Sequence, residues 1–218
     1  MTTESSSVAC RQSLPNSASR CHCARSTTTT FSRATAVTDE TRRHLRADFE
    51  GGRVREAVLA PNAILSTPCS EVDPRSPETL ALAADLVETM QASPGCVGLA
   101  ANQIGVGQRV FSLDVSQHPK TRTSHGRFVL CNPVLEQATR NEKAREGCLS
   151  VPDFTGDLKR ATRVTVRGWV PGSGAEVVIT TDAYEARALQ HEIDHVNGLL
   201  FLDRVAGAHA IHVRQTYL

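Results

Sequence analysis

QHEIDHVNG, residues 190–198, holds two histidines four apart with a glutamate directly after the first. Side chains four apart on an α-helix lie one above the other, so His191 and His195 can converge on one ion. Glu192 projects about 100° around from His191, beside such an ion rather than under it. There it can take a proton from water without becoming a ligand, which is the HExxH arrangement of metal-assisted hydrolysis. The competing reading is a solvated or core-satisfied histidine pair on an ordinary helix, since short patterns also arise by chance. The helix itself is well marked. Asp182 can cap its start while Glu185, three residues on, reaches back in a capping box, and Gly198 suits the left-handed position just past its end.

A catalytic metal needs a third protein ligand and an open position. A histidine six residues after His195 would complete one extended HExxH pattern, but Phe201 stands there; no glutamate occurs after Glu192 to complete the other. Asp203 is available in principle, in the apolar context LLFLDR. Upstream, EGCLS at 146–150 offers Cys148 in a loop bordered by Pro152. One thiolate with two imidazoles suits iron(II), zinc, nickel or cobalt. An isolated cysteine is otherwise a small buried hydrophobe, and that is the reading for Cys131 in VLCNP.

Outward from these motifs, the chain of 218 residues is long enough for one domain with a sizeable core. Its 40% hydrophobic and 22% charged residues are ordinary for a globular protein, and its net charge of +1 carries no footprint of nucleic-acid or membrane binding. No apolar run approaches the roughly eighteen residues of a membrane span, and the opening MTTESSSVAC lacks a secretory core. Seven cysteines without paired spacing point to a reducing compartment. Residues 1 to 38 are rich in Ser, Thr, Ala and Arg with Glu4 the only acid, a composition that cannot offset its conformational entropy and reads as disordered. It fits a transit peptide as well as a bacterial extension. Residues 39–57 are highly charged, with room for a short helix.

Ser76-Pro77-Glu78 predicts a helix start, and Leu80, Leu82, Leu86, Val87 and Met90 carry a mostly helical apolar pattern to Ser93-Pro94-Gly95. Strands are predicted at 109–115, 128–135, 163–170 and 176–180, the last two joined by the turn PGSG at 171–174. One helix, several strands and a second helix, without βαβ alternation, give an α+β fold with antiparallel or mixed sheet.

Three motifs in order, CVGLAANQIG at 96–105, EGCLS at 146–150 and QHEIDHVNG at 190–198, make the chain resemble the peptide deformylases over roughly residues 57–204. Cys96 stands where the family usually has glycine, and Asn102 where proline is commoner. The resemblance implies small antiparallel or mixed sheets packed around a central HExxH helix. It implies a weakly ordered extension over residues 1–50 and a catalytic domain over 51–218. By the same resemblance Cys148, His191 and His195 are the metal ligands and Glu192 the general base, then acid. Gln103 and the backbone N–H of Leu149 serve the oxyanion, Gly98 binds substrate through its backbone, and Arg160 lies near the substrate main chain, unless it is a salt-bridging surface arginine. Iron(II) is the implied metal, with Zn, Ni or Co as replacements. The implied partners are N-formylmethionyl nascent peptides and the ribosome, with no direct nucleic-acid or membrane binding. The implied location is the bacterial cytoplasm, or an organelle if residues 1–38 form a transit peptide.

Overall fold

The computed structural model describes residues 39–45 and 49–215. The readings of residues 1–38 lie outside them. The charged segment does form a short helix, α1 (Asp39–Leu45), and its last residue, Leu45, is buried in the core.

Helix α2 (Pro77–Ala92) begins as its sequence predicts: Ser76 is extended, and its Oγ accepts from the Thr79 N–H at 3.1 Å. Six strands follow the helix, β1 (Gly98–Ala100), β2 (Val110–Leu113), β3 (Phe128–Cys148), β4 (Val151–Trp169), β5 (Glu176–Asp182) and β6 (Ile211–Val213). They form one antiparallel sheet in the order β1-β2-β3-β4-β5, with β6 against β4. Helix α3 (Ala183–Val196) lies between β5 and the chain's end.

The runs VFSL and FVLC are apolar without alternation because the sheet is covered on both faces there. Val110, Val129 and Cys131 face α2, packing with Leu82, Leu86 and Met90. Their chain neighbours Phe111, Phe128 and Leu130 face α3, packing with Leu189, Ile193 and Val196. Each such side chain, once buried, contributes about 1.5–3 kcal/mol. This pins α3 along its whole apolar stripe, and the stripe sets where its histidines point.

Three expectations need correction. The sheet is antiparallel, one of the two forms expected, but a single six-stranded sheet replaces several small ones, because β3 and β4 run far beyond residues 128–135 and 163–170 and tie the strands together. EGCLS is no free loop: residues 146–148 end β3, and Leu149-Ser150 is the turn into β4. The capping box at α3 does not form. Asp182 Oδ1 accepts instead from Thr123 at 2.9 Å, and Glu185 binds the His125 N–H and Nδ1 at 2.8 and 2.7 Å. Tertiary partners outcompete the local cap. At the other end, Gly198 adopts φ +74, with its N–H on the His195 carbonyl and the Leu199 N–H on that of Asp194. These are the two bonds of a Schellman ending, and a side chain at Gly198 would strike the Thr67 backbone.

Candidate metal centre

The end of β3 and one face of α3 meet at Cys148, His191 and His195. Cys148 Sγ lies 3.2 Å from His195 Nε2, and His195 Nε2 lies 3.2 Å from His191 Nε2. All three donors fall within 4.8 Å of one another. Tetrahedral coordination at ordinary Zn–N and Zn–S lengths separates donor atoms by roughly 3.3–3.7 Å, so the cluster fits a cation of that size. The protonation chemistry agrees. Burial alone would push the Cys148 thiol up, yet His195 and His191 beside it hold it well below its usual range. His191, which burial would push down, is held well above its usual value by Cys148 and Glu146. A divalent cation supplies the positive charge that these protons otherwise provide, and its binding releases them.

Behind the cluster runs a chain of buried charges. His191 Nδ1 contacts Glu146 Oε2 at 3.0 Å, leaving Nε2 turned to the cluster. Arg160 grips Glu146 with two bonds of 2.9 Å and also donates to Asp194, which Arg204 holds from the solvent side at 2.6 Å. Burial raises the Glu146 carboxyl, but His191 and Arg160 outweigh it and bring it down to about 2. Arg160 is thus a salt-bridging arginine but a buried one: at 6% exposure it reaches His191 through Glu146. Glu146 and Asp194 were not singled out in the sequence, although both lie inside the quoted motifs.

Glu192 is buried beside the cluster, and its Oε2 finds no hydrogen-bond partner among the described residues. Burial pushes its carboxyl up to about 7, against the pull of His191 and His195. A side chain at Gly98 would collide with this carboxylate, so only glycine lets β1 approach so closely. Val97 accepts from the Asp114 N–H at 2.8 Å, so the next residue, Gly98, turns its own N–H and C=O away from β2, toward the open edge of the sheet. Cys96, the departure from glycine, sends its thiol to that Gly98 carbonyl at 3.1 Å.

Gln103 lies in the 3-10 turn after β1. Its Oε1 accepts from the Ala100 N–H at 2.9 Å, which directs Nε2 toward Cys148 Sγ and Ser150 Oγ, both at 3.2 Å. Asn102, the second departure, donates through Nδ2 to the His195 carbonyl at 2.7 Å and so ties this turn to the end of α3 that carries the histidine pair. Leu149 is half-buried and packs against the α2 side of the core.

An α+β body that brings one thiolate, two imidazoles and an unpaired buried carboxylate together has the make-up of a metal-dependent hydrolase. The family model described as polypeptide deformylase matches residues 54–210. The peptide deformylase of Halothermothrix orenii is 42% identical over 142 residues, 65% of this chain and 87% of that one. That of Aquifex aeolicus is 38% identical over 154 residues, 71% of this chain and 89% of that one. Among solved structures, the Ehrlichia chaffeensis enzyme in complex with actinonin superposes with a TM-score of 0.66 at 33% identity, covering 72% of this chain and 91% of that one. The Acinetobacter baumannii enzyme bound to Met-Ala-Ser gives 0.64 at 29% identity, covering 70% and 100%. The chain belongs to the polypeptide deformylase family, metal-dependent enzymes that hydrolyse the N-terminal formyl group of nascent peptides.

Proposed function

We propose that Cys148, His191 and His195 hold the metal, that Glu192 moves the proton, and that Gln103 and the Leu149 N–H stabilise the oxyanion. The single observation that carries this reading is the Glu192 carboxylate, buried with an unpartnered oxygen beside three converging donors. A structural ion site has no use for such a group.

A formamide is a poor electrophile, so its hydrolysis needs a strong nucleophile, a stabilised oxyanion and a proton for the leaving amine. A bound divalent ion lowers the pKa of water toward ~7 and polarises the carbonyl. Glu192, with a carboxyl poised near 7, accepts the proton of the attacking water and returns it to the amine nitrogen as the C–N bond breaks. Gln103 Nε2, uncharged and fixed through its own oxygen, is placed to donate to the developing oxyanion. The outward N–H and C=O of Gly98 suit an extended peptide added at the edge of β1. Val97, Leu149 and the face of α3 before His191 offer the apolar wall for the methionine side chain. Around α3 the proposal is the deformylase arrangement, with the HExxH helix at its centre.

The metal in this reading is iron(II), with zinc, nickel or cobalt as replacements, and the domain spans residues 51–218. The substrate is the formylmethionyl end of a new chain as it leaves the ribosome. That places the enzyme in the bacterial cytoplasm, or in an organelle if residues 1–38 target one. Among the described residues no helix is long and apolar enough to cross a membrane.

The test is formate release from formyl-Met-Ala-Ser by protein purified without oxygen, with its metal content measured. Turnover should rise with iron occupancy and vanish on chelation; full turnover by metal-free protein would end the proposal. Gln103→Leu keeps the volume and deletes the donor. It should cost about 10²- to 10³-fold in kcat with KM little changed. A change confined to KM would place Gln103 in substrate binding instead.

A further inference from the structure

We infer that the cleft between residues 120–122, the outer β3–β4 ribbon and the first turns of α3 binds acidic side chains of the nascent chain just downstream of its methionine. The inference rests on the proposed function and extends it from one residue of substrate to several.

The cleft has a volume of about 370 Å³ and is lined by five cations, Lys120, Arg122, Arg140, Arg163 and Arg187. Two carboxylates, Glu142 and Asp182, also line it, so the balance is positive. Asp182 is already engaged by Thr123. None of the five cations has a carboxylate within ion-pair distance among the described residues, whereas Arg145, Arg160 and Arg167 on the same two strands are all paired. Paired arginines fasten a fold; five unpaired ones facing a single cleft repel one another and are satisfied by an anion from outside. The field is felt nearby, where His118, stacked on Tyr184 at 3.7 Å, is held below its usual value first by burial and then by Lys120 and Arg187.

Backbone conformation singles out the same place. Only three non-glycine residues among those described have positive φ, and two of them, Arg140 at +60 and Ala183 at +50, line this cleft. Such conformations cost energy and cluster where function holds them.

Position selects the occupant. Tyr184 and Arg187 precede His191 by seven and four residues, on its own face of α3, which places them roughly 10 and 6 Å along the helix from it. A strand advances roughly 3.3 Å per residue, so a chain with its formyl group at the cluster brings its second and third residues alongside Arg187 and Tyr184. A phosphate backbone carries a charge on every unit and would have to set some against Glu142 and Asp182; a peptide with one or two acids can set them against the cations and away from those carboxylates.

The experiment uses the full-length, metal-loaded enzyme and formyl-Met followed by Glu-Glu, Gln-Gln or Lys-Lys, with formyl-Met-Ala-Ser as the uncharged reference. The acidic peptide should have kcat/KM about five- to ten-fold above the basic one at low salt, mostly through KM, as exposed charge pairs permit. That preference should shrink below about two-fold in 0.5 M salt, where screening acts within a few ångströms. Arg140→Asn, which tolerates the left-handed backbone, combined with Arg163→Gln should abolish the preference while leaving formyl-Met-Ala-Ser turnover intact. Arg122→Gln alone should halve it and serves if the double variant does not fold. Equal rates for the three peptides, or a preference that survives the substitutions, would overturn the inference. So would tight binding of a short RNA that these variants lose while the peptides show no preference. If formyl-Met-Ala-Ser itself goes unturned, the proposed function falls, and the cleft is judged by direct binding of the same peptides, where equal affinities count against it.

Discussion

Replacing Glu192 by glutamine should abolish most turnover and leave the metal in place. The amide has the carboxylate's shape, so it fits between α3 and the close approach of Gly98 without disturbing either. It cannot accept a proton from water, and a positioned general base is worth about 10²- to 10⁴-fold in rate. The loss should fall on kcat for formyl-Met-Ala-Ser, with metal content by elemental analysis unchanged, because Cys148, His191 and His195 keep every contact they have. Stability should hold or rise: burial pushes the native carboxyl up to about 7, so the folded state bears a desolvation cost for its charged form that the amide avoids. Glu192→Ala should show the same division between activity and metal. Activity within ten-fold of the parent would mean that another group moves the proton. Metal and activity lost together would make Glu192 a support of the cluster.

That division tests a role legible from five letters of sequence, and the reason it was legible is geometric. Residues at i, i+1 and i+4 on a helix have directions fixed by the helix alone, so HEIDH specifies two donors and a flanking carboxylate wherever the helix goes. The ends of α2 and α3 were legible for a similar reason, since Ser76 and Gly198 act through their own backbone neighbourhoods. What failed depended on partners distant in sequence. Asp182 and Glu185 have the spacing of a capping box, but Thr123 and His125, some sixty residues away, take both side chains. The outer half of β3, QATRNEKAR, shows no alternation because both of its faces meet water. It holds as a strand through pairing with β4 and through cross-strand contacts such as Arg145 with Asp157 at 2.9 Å. Nor does any local pattern reveal that Arg160 spans two buried carboxylates from separate elements. Asn102 was noticed only as a departure from proline. Its bond to the His195 carbonyl needs the fold to be seen.

Arg160 also carries the largest expected effect outside the chemistry itself. Its guanidinium joins β3 to α3 by holding Glu146 through two bonds and Asp194 through a third, and the arginine side chain is only 6% exposed. Arg160→Ala leaves Glu146 with His191 alone and Asp194 with the half-exposed Arg204. Stripping one partner from a buried charge pair costs about 3–5 kcal/mol, and the surviving contacts place this case near the lower end, readable by urea unfolding of the metal-free protein. Loss of the partner that orients a metal-binding histidine typically weakens metal binding about 10- to 100-fold. Chelator competition should therefore strip the variant at correspondingly lower concentration, with activity at saturating iron largely recovered. Arg160→Lys should restore little of either, because one ammonium cannot meet both oxygens of Glu146 and still reach Asp194. If unfolding weakens while metal affinity stays within two-fold of the parent, Arg160 fastens the fold and does nothing for His191, and the link through Glu146 is broken as an explanation of the site's geometry.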